Sequence, residues 1–214
     1  MELEKRKRFN KLPTYLPYDK QRDFHRAGAS HNERLLMAGN QLGKTVAGGA
    51  EWAMHLTGRY PEWWDGAEFD RPVIFWASGV TNESTRDNPQ RILVGDAANK
   101  DTWGSGWLPK SCIKEINMAM GIRNAIDSLV IRWGGGGDIQ AQDSSLYFKS
   151  YEKGREKWQG PTLDGVWFDE EPPENIYSEG RTRTQNGQRG VFTQITFTPL
   201  LGMSEVVRSF LTHE

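Results

Sequence analysis

The chain has 214 residues, of which 36% are hydrophobic and 26% charged, a composition typical of a folded globular protein rather than a disordered one. The formal net charge of −1 excludes a polycation that coats nucleic acid, so any contact with DNA has to be made by local basic patches. No apolar run approaches the roughly 20 residues of a membrane span, the charged amino terminus is unlike a secretory signal, and the single Cys112 excludes a disulfide framework.

The amino-terminal segment, residues 1–16, is predicted to be a solvated basic arm that precedes a folded domain at 17–214. The arm has five basic residues against two acidic ones, namely Lys5, Arg6, Lys7, Arg8 and Lys11 against Glu2 and Glu4. Short runs of charge are usually solvated. A local contact with DNA is the alternative for this segment.

The next elements predict a strand between two helices. Residues 19–27 are predicted to form a short helix, and the apolar run "RLLMA" at 34–38 a strand. After a loop, the stretch "TVAGGAEWAMHLTG" is predicted to form a helix that ends at Gly58. Because Gly48 and Gly49 disfavour a helix intrinsically, we expect them where this helix packs closely on a sheet.

A second strand and a third helix are predicted after this unit. The uninterrupted apolar run "VIFWA" at 73–77 is typical of a buried strand. Asn88 followed by Pro89 predicts the first turn of a helix, and Gly95 predicts its end.

The remaining chain is predicted to be rich in strands. Three β-like runs between 113 and 149, separated by polar and glycine-rich turns, indicate an antiparallel meander. Two further strands are predicted at 165–168 and 192–197. Because strands alternate with helices around a glycine-rich loop, we expect an α/β fold with a mainly parallel central sheet, flanked by helices and extended by the antiparallel meander.

The stretch "AGNQLGKT" at 38–45 is close to the phosphate-loop pattern G-x-x-x-x-G-K-[ST], with Ala38 in place of the first glycine. Its place between a strand and a helix is the context in which backbone N–H groups cradle phosphate. Lys44 is predicted to reach the β- and γ-phosphates, and Thr45 to offer its hydroxyl to Mg²⁺. Alanine is tolerated at 38 if that position needs no positive φ, and Gly39 is expected to supply the local freedom. The predicted nucleotide-binding residues of the loop are Gly39, Asn40, Gln41, Leu42, Gly43, Lys44 and Thr45.

The stretch "GVWFDEE" ends a predicted strand with three acids. In parallel α/β sheets ligands gather at the carboxyl ends of the strands, so Asp169 is predicted to hold Mg²⁺ through water. Glu170 is predicted to polarise the attacking water. An acidic turn before Pro172 is the structural alternative. GTPase signatures are missing, and adjacent Asp and Glu fit an ATPase that transfers phosphate to water.

Taken in order, these motifs resemble the ATPase domain of the large terminase subunit of tailed bacteriophages. "PYDKQRDFH" resembles the family's adenine-recognition segment, "MAGNQLGKT" its Walker A, "DGVWFDEEPP" its Walker B and "TFTPLLG" its coupling motif. "WASGVTNESTRDNPQRILVG" and "FKSYEKGREKWQG" resemble the intervening segments. The resemblance covers nearly all of 17–202.

The resemblance implies a P-loop NTPase of the additional-strand, conserved-glutamate class. In this family, the motor is a ring of subunits mounted on the portal. The ring hydrolyses ATP with Mg²⁺ and thereby drives double-stranded DNA into the procapsid. The implied partners are the viral DNA, the portal protein and the small terminase subunit. We expect a monomer in isolation, a homo-oligomeric ring at work, and activity in the host cell cytoplasm.

The resemblance also implies roles for single residues. Gln21 would read the adenine base. Thr198 would sense the γ-phosphate, with an ordinary strand terminus as the alternative for this residue. Many relatives carry an arginine in Walker A that this chain lacks, so Arg155 is the candidate for an arginine finger acting in trans, with a surface or DNA-facing role as the alternative. Other arginines that compete for this role are Arg181, Arg183 and Arg189.

Two other functions stay open at the level of sequence. One is a helicase-like translocase of the same P-loop class, and the other is a nucleotide-binding assembly module with negligible hydrolysis alone. Large terminases add a nuclease domain with a carboxylate cluster. Because the chain stops at Glu214, we expect an isolated ATPase domain, without nuclease activity.

Overall fold

Seven strands form one sheet in the computed structural model, which describes residues 4, 7–39, 41–134, 143–199 and 204–211. In chain order they are β1 (Glu33–Met37), β2 (Ile74–Gly79), β3 (Ile113–Met118), β4 (Ile126–Ile131), β5 (Ser144–Ser150), β6 (Gly165–Asp169) and β7 (Thr193–Phe197). The spatial order is β1-β7-β6-β2-β5-β4-β3.

The pairing of the strands confirms a mainly parallel sheet with an antiparallel addition. The five strands from β1 to β5 in the spatial order run parallel to their neighbours, whereas β4 pairs antiparallel with β5, and β3 pairs antiparallel with β4. Strand β5 therefore belongs to both parts, being the last strand of the predicted meander and a neighbour of β2. Strand β7 lies between β1 and β6. It corresponds to the additional strand of the predicted P-loop class.

The described helices surround this sheet, and short 3-10 turns connect them. The helices are α1 (Asp19–Ala27), α2 (Lys44–Thr57), α3 (Asn82–Thr85), α4 (Arg91–Leu93), α5 (Glu174–Thr184) and α6 (Glu205–Leu211), with a π-helical turn at Arg86–Gln90. The 3-10 turns lie at Leu12–Thr14, Lys100–Thr102, Lys110–Cys112, Tyr151–Lys153 and Arg155–Trp158. Among the described residues, no helix is both long enough and apolar enough to cross a membrane.

Helix α2 lies where the sequence predicts it and is almost wholly buried. It begins after Gly43 and ends at Gly58, and both glycines have positive φ. A Cβ at Gly48 would lie only 2.9 Å from the Trp167 side chain on β6, so this glycine does allow close packing on the sheet. At Gly49 the neighbour is different, because a Cβ there would lie 2.4 Å from the side chain of Ile92 on α4.

The helix predicted to begin at Asn88 begins earlier, so that prediction is wrong. Helix α3 starts at Asn82, where the Thr81 hydroxyl accepts a hydrogen bond from the Ser84 N–H at 3.0 Å. Pro89 lies inside the following π-helical turn. Proline has no N–H to donate, and a locally widened turn is one way in which a helix accommodates that loss.

The core has one layer on each face of the sheet. Successive residues of a strand alternate between these layers, since Phe75 belongs to the larger cluster and Trp76 to the smaller one. On β6, Trp167 and Phe168 divide in the same way. The larger cluster includes side chains of α2, whereas α5 and α6 contribute to the smaller cluster.

The predicted amino-terminal arm is partly packed. Leu12 and Tyr15 are each 4% exposed and belong to the larger core cluster. Further upstream, the Phe9 carbonyl accepts a hydrogen bond from the Lys110 N–H at 3.1 Å. Packing therefore extends upstream of the predicted boundary at residue 17, because this segment carries apolar side chains beside its charges.

A buried ionic network joins α1, β1 and α2. The Glu51 carboxylate accepts hydrogen bonds from Arg34 Nη2 at 2.5 Å and Nη1 at 3.1 Å, and it lies 2.6 Å from His25 Nδ1 and 3.3 Å from His55 Nε2. Burial acts to raise the pKa of Glu51, but Arg34 and the two histidines hold it well below its ordinary value. His25 lies on α1 and His55 on α2, and both side chains are wholly buried.

Candidate nucleotide-binding site

The loop between β1 and α2 contains residues with positive φ, as a phosphate loop does, but Gly39, where the sequence predicts this conformation, is not one of them. Gln41 and Gly43 have φ of 61° and 77°. Ala38 and Gly39 have no positive φ, which explains why alanine is accepted at 38 and makes the freedom expected of Gly39 unnecessary. Asn40 lies outside the described residues.

Gln21 on α1 contacts the loop directly. Its side chain is nearly buried and bridges two backbone groups: the Tyr18 N–H donates to Oε1 at 2.9 Å, and Nε2 donates to the Gly43 carbonyl at 2.9 Å. These bonds fix the position of α1 relative to the loop. Leu42 is 61% exposed, so any part it takes in phosphate binding belongs to its backbone. The adenine contact of Gln21 stays a prediction.

Asp169 lies at the carboxyl end of β6 and meets the beginning of α2. The Thr45 hydroxyl donates to Asp169 Oδ1 at 3.0 Å, and the Thr196 hydroxyl on β7 donates to the same oxygen at 2.8 Å. Trp167 Nε1 donates in turn to Thr196 Oγ1 at 2.8 Å. Burial raises the pKa of Asp169 to about 6, against the opposing effect of the two hydroxyls and Lys44. This carboxylate is therefore a buried negative charge that a cation would stabilise.

Glu170 follows in a left-handed conformation, with φ of 67°. Its side chain reaches the phosphate loop, because Lys44 Nζ lies 3.5 Å from Oε1. The Thr198 N–H donates to Oε2 at 3.0 Å, and the Glu170 N–H donates to the Thr196 carbonyl at 2.8 Å. The predicted lysine, the paired acids and the end of β7 thus lie together at one edge of the sheet.

The oxygen ligands at this edge fit a magnesium ion bound together with a phosphate. Mg²⁺ prefers oxygen ligands and is usually held by one or two carboxylates, waters and substrate phosphates. The Thr45 hydroxyl and the Asp169 carboxylate supply two such oxygens 3.0 Å apart. Among the described residues, no group of three or more His, Cys, Asp or Glu side chains could hold a metal by protein ligands alone.

Arg155 does not contact these residues and lies on the 3-10 turn Arg155–Trp158, a few residues after β5 ends. Its side chain is 62% exposed, and Nε lies 2.9 Å from Glu179 Oε2 on α5. The other carboxylate oxygen of Glu179, Oε1, lies 2.9 Å from Arg183 Nη2.

Two competing arginines lie at the opposite edge of the sheet. Arg181 pairs with Glu33, at the beginning of β1, at 2.6 Å. Arg189 donates to the carbonyls of Gly28 and Ala29, which precede β1. Arg155, in contrast, follows β5, which ends at the same edge as β6 because β2 pairs parallel with both strands.

Two residues of this site were not predicted to act in it. Thr196 and Trp167 are not among the predicted site residues, yet both belong to the chain of hydrogen bonds that ends on Asp169. One signal was available in the sequence. Gln194 and Thr196 are polar residues at alternate positions of the buried strand β7, and Gln194 Nε2 donates to the Gly48 carbonyl of α2 at 3.0 Å.

Comparisons with known proteins agree with this architecture. A family model described as terminase large subunit, T4likevirus-type, N-terminal, matches residues 35–214. The large terminase subunit of Salmonella phage P22 is 45% identical over 212 residues, which cover 94% of this chain and 42% of that protein. The chain thus spans less than half the length of this relative.

Solved structures are similar in fold. A mutant of the ATPase domain of the large terminase of Thermus phage P74-26 matches with a TM-score of 0.62 and 19% identity, over 94% of this chain and 72% of that one. The large terminase of a thermophilic bacteriophage, in complex with ATP-gamma-S, matches with a TM-score of 0.51 and 14% identity, over 85% of this chain and 38% of that one.

Proposed function

The chain belongs to the family of terminase large subunits of the T4likevirus type, to its N-terminal part, and from this premise we propose that it is the ATPase domain of a viral DNA-packaging motor. It hydrolyses Mg-ATP, and the hydrolysis drives double-stranded DNA into a procapsid. Its working partners are the viral DNA, the portal protein and the small terminase subunit, in the host cell cytoplasm.

One observation carries the proposal, namely that the phosphate loop and the paired acids meet. Thr45 lies within a hydrogen bond of Asp169, and Lys44 lies 3.5 Å from Glu170. The two motifs are far apart in the chain, and the parallel sheet brings them to one edge. This convergence supports a single site for a triphosphate, a cation and an attacking water.

The residues of the chain have distinct tasks in this proposal. Amide groups of the loop and Lys44 bind the phosphates, while Gln21 recognises the base. Thr45 and Asp169 would hold Mg²⁺, which would supply positive charge to neutralise the phosphate oxygens. Glu170 accepts a proton from the attacking water. Phosphate competes with Glu170 for Lys44, so nucleotide binding frees this carboxylate for its catalytic task.

Hydrolysis at full rate requires a neighbouring subunit. Arg155 stabilises the transition-state charge in the site of the next copy in a ring, since the described phosphate loop carries Lys44 but no arginine. Thr198, whose N–H holds Glu170, responds to the γ-phosphate at the same edge. Release of the phosphate therefore changes the contacts at the carboxyl end of β7.

The proposal is tested by separating binding from turnover. Glu170→Gln should retain Mg-ATP binding in calorimetry and lower phosphate release by at least about 100-fold, because the carboxylate that accepts the proton is lost. Lys44→Ala should weaken Mg-ATP binding itself. Glu174→Gln, a neighbouring exposed acid, is the matched control and should hydrolyse at the wild-type rate. Wild-type turnover by Glu170→Gln would rule out the assigned role, and a wild-type protein that takes up no Mg-ATP would rule out the motor.

A further inference from the structure

Tyr151 is a buried residue to which the roles above give no task. It follows β5 directly, in the 3-10 turn Tyr151–Lys153, and it is 6% exposed. Its ring packs beside Trp158 and Phe168, with ring centroids 6.1 and 6.3 Å away. The hydroxyl does not end in this apolar cluster, because it reaches the backbone of the acidic turn after β6.

The hydroxyl holds both carbonyls of the acid pair. Tyr151 Oη lies 2.7 Å from the Glu170 carbonyl oxygen and 3.1 Å from the Asp169 carbonyl oxygen. Carbonyl oxygens only accept hydrogen bonds, so the phenol is the donor in both contacts. The shorter contact places the stronger bond on Glu170.

Glu170 needs such support because its backbone is in the left-handed region. A residue with a side chain persists there only when its surroundings fix it. The Thr196 carbonyl on β7 accepts the Glu170 N–H at 2.8 Å, and Tyr151 donates to the Glu170 carbonyl. The turn is therefore held on one side by β7 and on the other by the segment after β5.

We propose that Tyr151 is a positioning residue for Glu170, whose hydroxyl holds the left-handed turn so that the carboxylate points at the phosphate loop. The inference rests on the proposed ATPase function and extends it to a residue outside both nucleotide motifs. Its consequence is geometric: the same short segment carries Arg155 four residues later, and Trp158 anchors that segment by donating to the Ser150 carbonyl at 3.1 Å. The residue that holds the Glu170 turn and the candidate arginine finger therefore lie on one short segment of the chain.

Tyr151→Phe is the test, since it keeps the packed ring and removes the donor. We expect kcat for Mg-ATP to fall about 10- to 100-fold, because small misplacements of a catalytic group cost up to about 100-fold in rate. KM and the calorimetric Kd for Mg-ATP should stay within about twofold, because the phosphate loop is untouched. In a Glu170→Gln background the same change should cause no further loss, because the positioned group is already gone.

Tyr177→Phe is the matched control. This tyrosine is also buried, and its hydroxyl donates to Glu33 Oε2 at 2.7 Å, at the opposite edge of the sheet. It should lose a similar amount of stability in urea unfolding and keep the wild-type kcat.

The outcomes separate this inference from the proposed function. If the wild type hydrolyses ATP, Glu170→Gln does not, and Tyr151→Phe keeps the wild-type kcat, the inference is overturned and the function stands. Equal losses of kcat in the two phenylalanine variants, or loss of fold in Tyr151→Phe by circular dichroism, would assign Tyr151 a structural role instead. A wild type without turnover in any assembly overturns both.

Discussion

Asp169 is the residue whose burial has the clearest consequence for stability. Its pKa rises from the ordinary value of 3.8 to about 6, chiefly because it is buried. A carboxyl with a raised folded-state pKa destabilises the folded protein when charged. The penalty is absent below pH 3.8, grows between these values and is complete above about pH 6.

Asp169→Asn should therefore stabilise the protein in the absence of nucleotide and metal. At neutral pH we expect the free energy of unfolding to rise by up to about 3 kcal/mol, from roughly two pKa units at about 1.4 kcal/mol each. The amide oxygen can still accept from Thr45 and Thr196. Urea unfolding of both proteins across the acidic range should show the gain shrinking as the pH falls through about 6 towards 4. A difference that stays constant with pH would contradict this explanation.

At this scale the sequence could predict residues that are neighbours in the chain. Lys44 and Thr45 share one motif, and Asp169 and Glu170 share another. The contacts of Thr196 and Tyr151 with these acids depend on which strands are adjacent in space. That order is decided by packing of the whole sheet, so no local pattern reveals it.

At the scale of elements, the network around Glu51 fixes α1 to β1 and α2. It connects the helix that carries Gln21 with the helix that begins at Lys44. The carboxylate is fully buried between Arg34, His25 and His55. Removing one partner of such a pair leaves the other as an unpaired buried charge.

Glu51→Gln should lower the free energy of unfolding by about 3–5 kcal/mol, because the Arg34 guanidinium keeps its position and loses its counter-charge. Urea unfolding at neutral pH measures this loss. Glu115→Gln on β3, at an exposed position, is the control and should change stability by less than about 0.5 kcal/mol. A loss at residue 51 no larger than at residue 115 would show that the network contributes nothing to the fold.

The elements differ in how well they could be predicted. Apolar runs bounded by turn residues give β1, β2, β6 and β7 to within about two residues. Helix α2 has clear glycines at both ends. Helix α5 was not predicted, because its sequence is polar and it is held by contacts such as that of Ile176 in the smaller core cluster. The start of α3 was predicted wrongly because a local rule places Pro89 in the first turn of a helix. In the folded protein, Pro89 lies inside the π-helical turn that follows α3.

At the scale of the whole molecule, a site completed by a neighbour behaves differently from one that is complete alone. The Arg155 side chain is largely exposed and bonded to Glu179 of its own chain, with no contact to the described phosphate loop. An arginine finger in trans raises the rate by about 10³- to 10⁵-fold in well-studied P-loop enzymes. The rate per subunit should therefore rise steeply with protein concentration.

Arg155→Ala should abolish the rise of the rate per subunit with protein concentration, while leaving Mg-ATP binding unchanged. A mixing experiment with two inactive variants tests the same residue more sharply. Arg155→Ala retains a complete acid pair, and Glu170→Gln retains the finger, so each alone is expected to be inactive. In mixed assemblies, some Arg155→Ala sites receive the arginine of a Glu170→Gln neighbour, and phosphate release should reappear. Arg181→Ala, at the opposite edge of the sheet, is the control and should follow the wild-type concentration dependence. A rate per subunit that is flat with concentration, or a mixture as inactive as its components, would exclude Arg155 as the trans-acting residue, because complementation requires the two groups to meet across a subunit boundary.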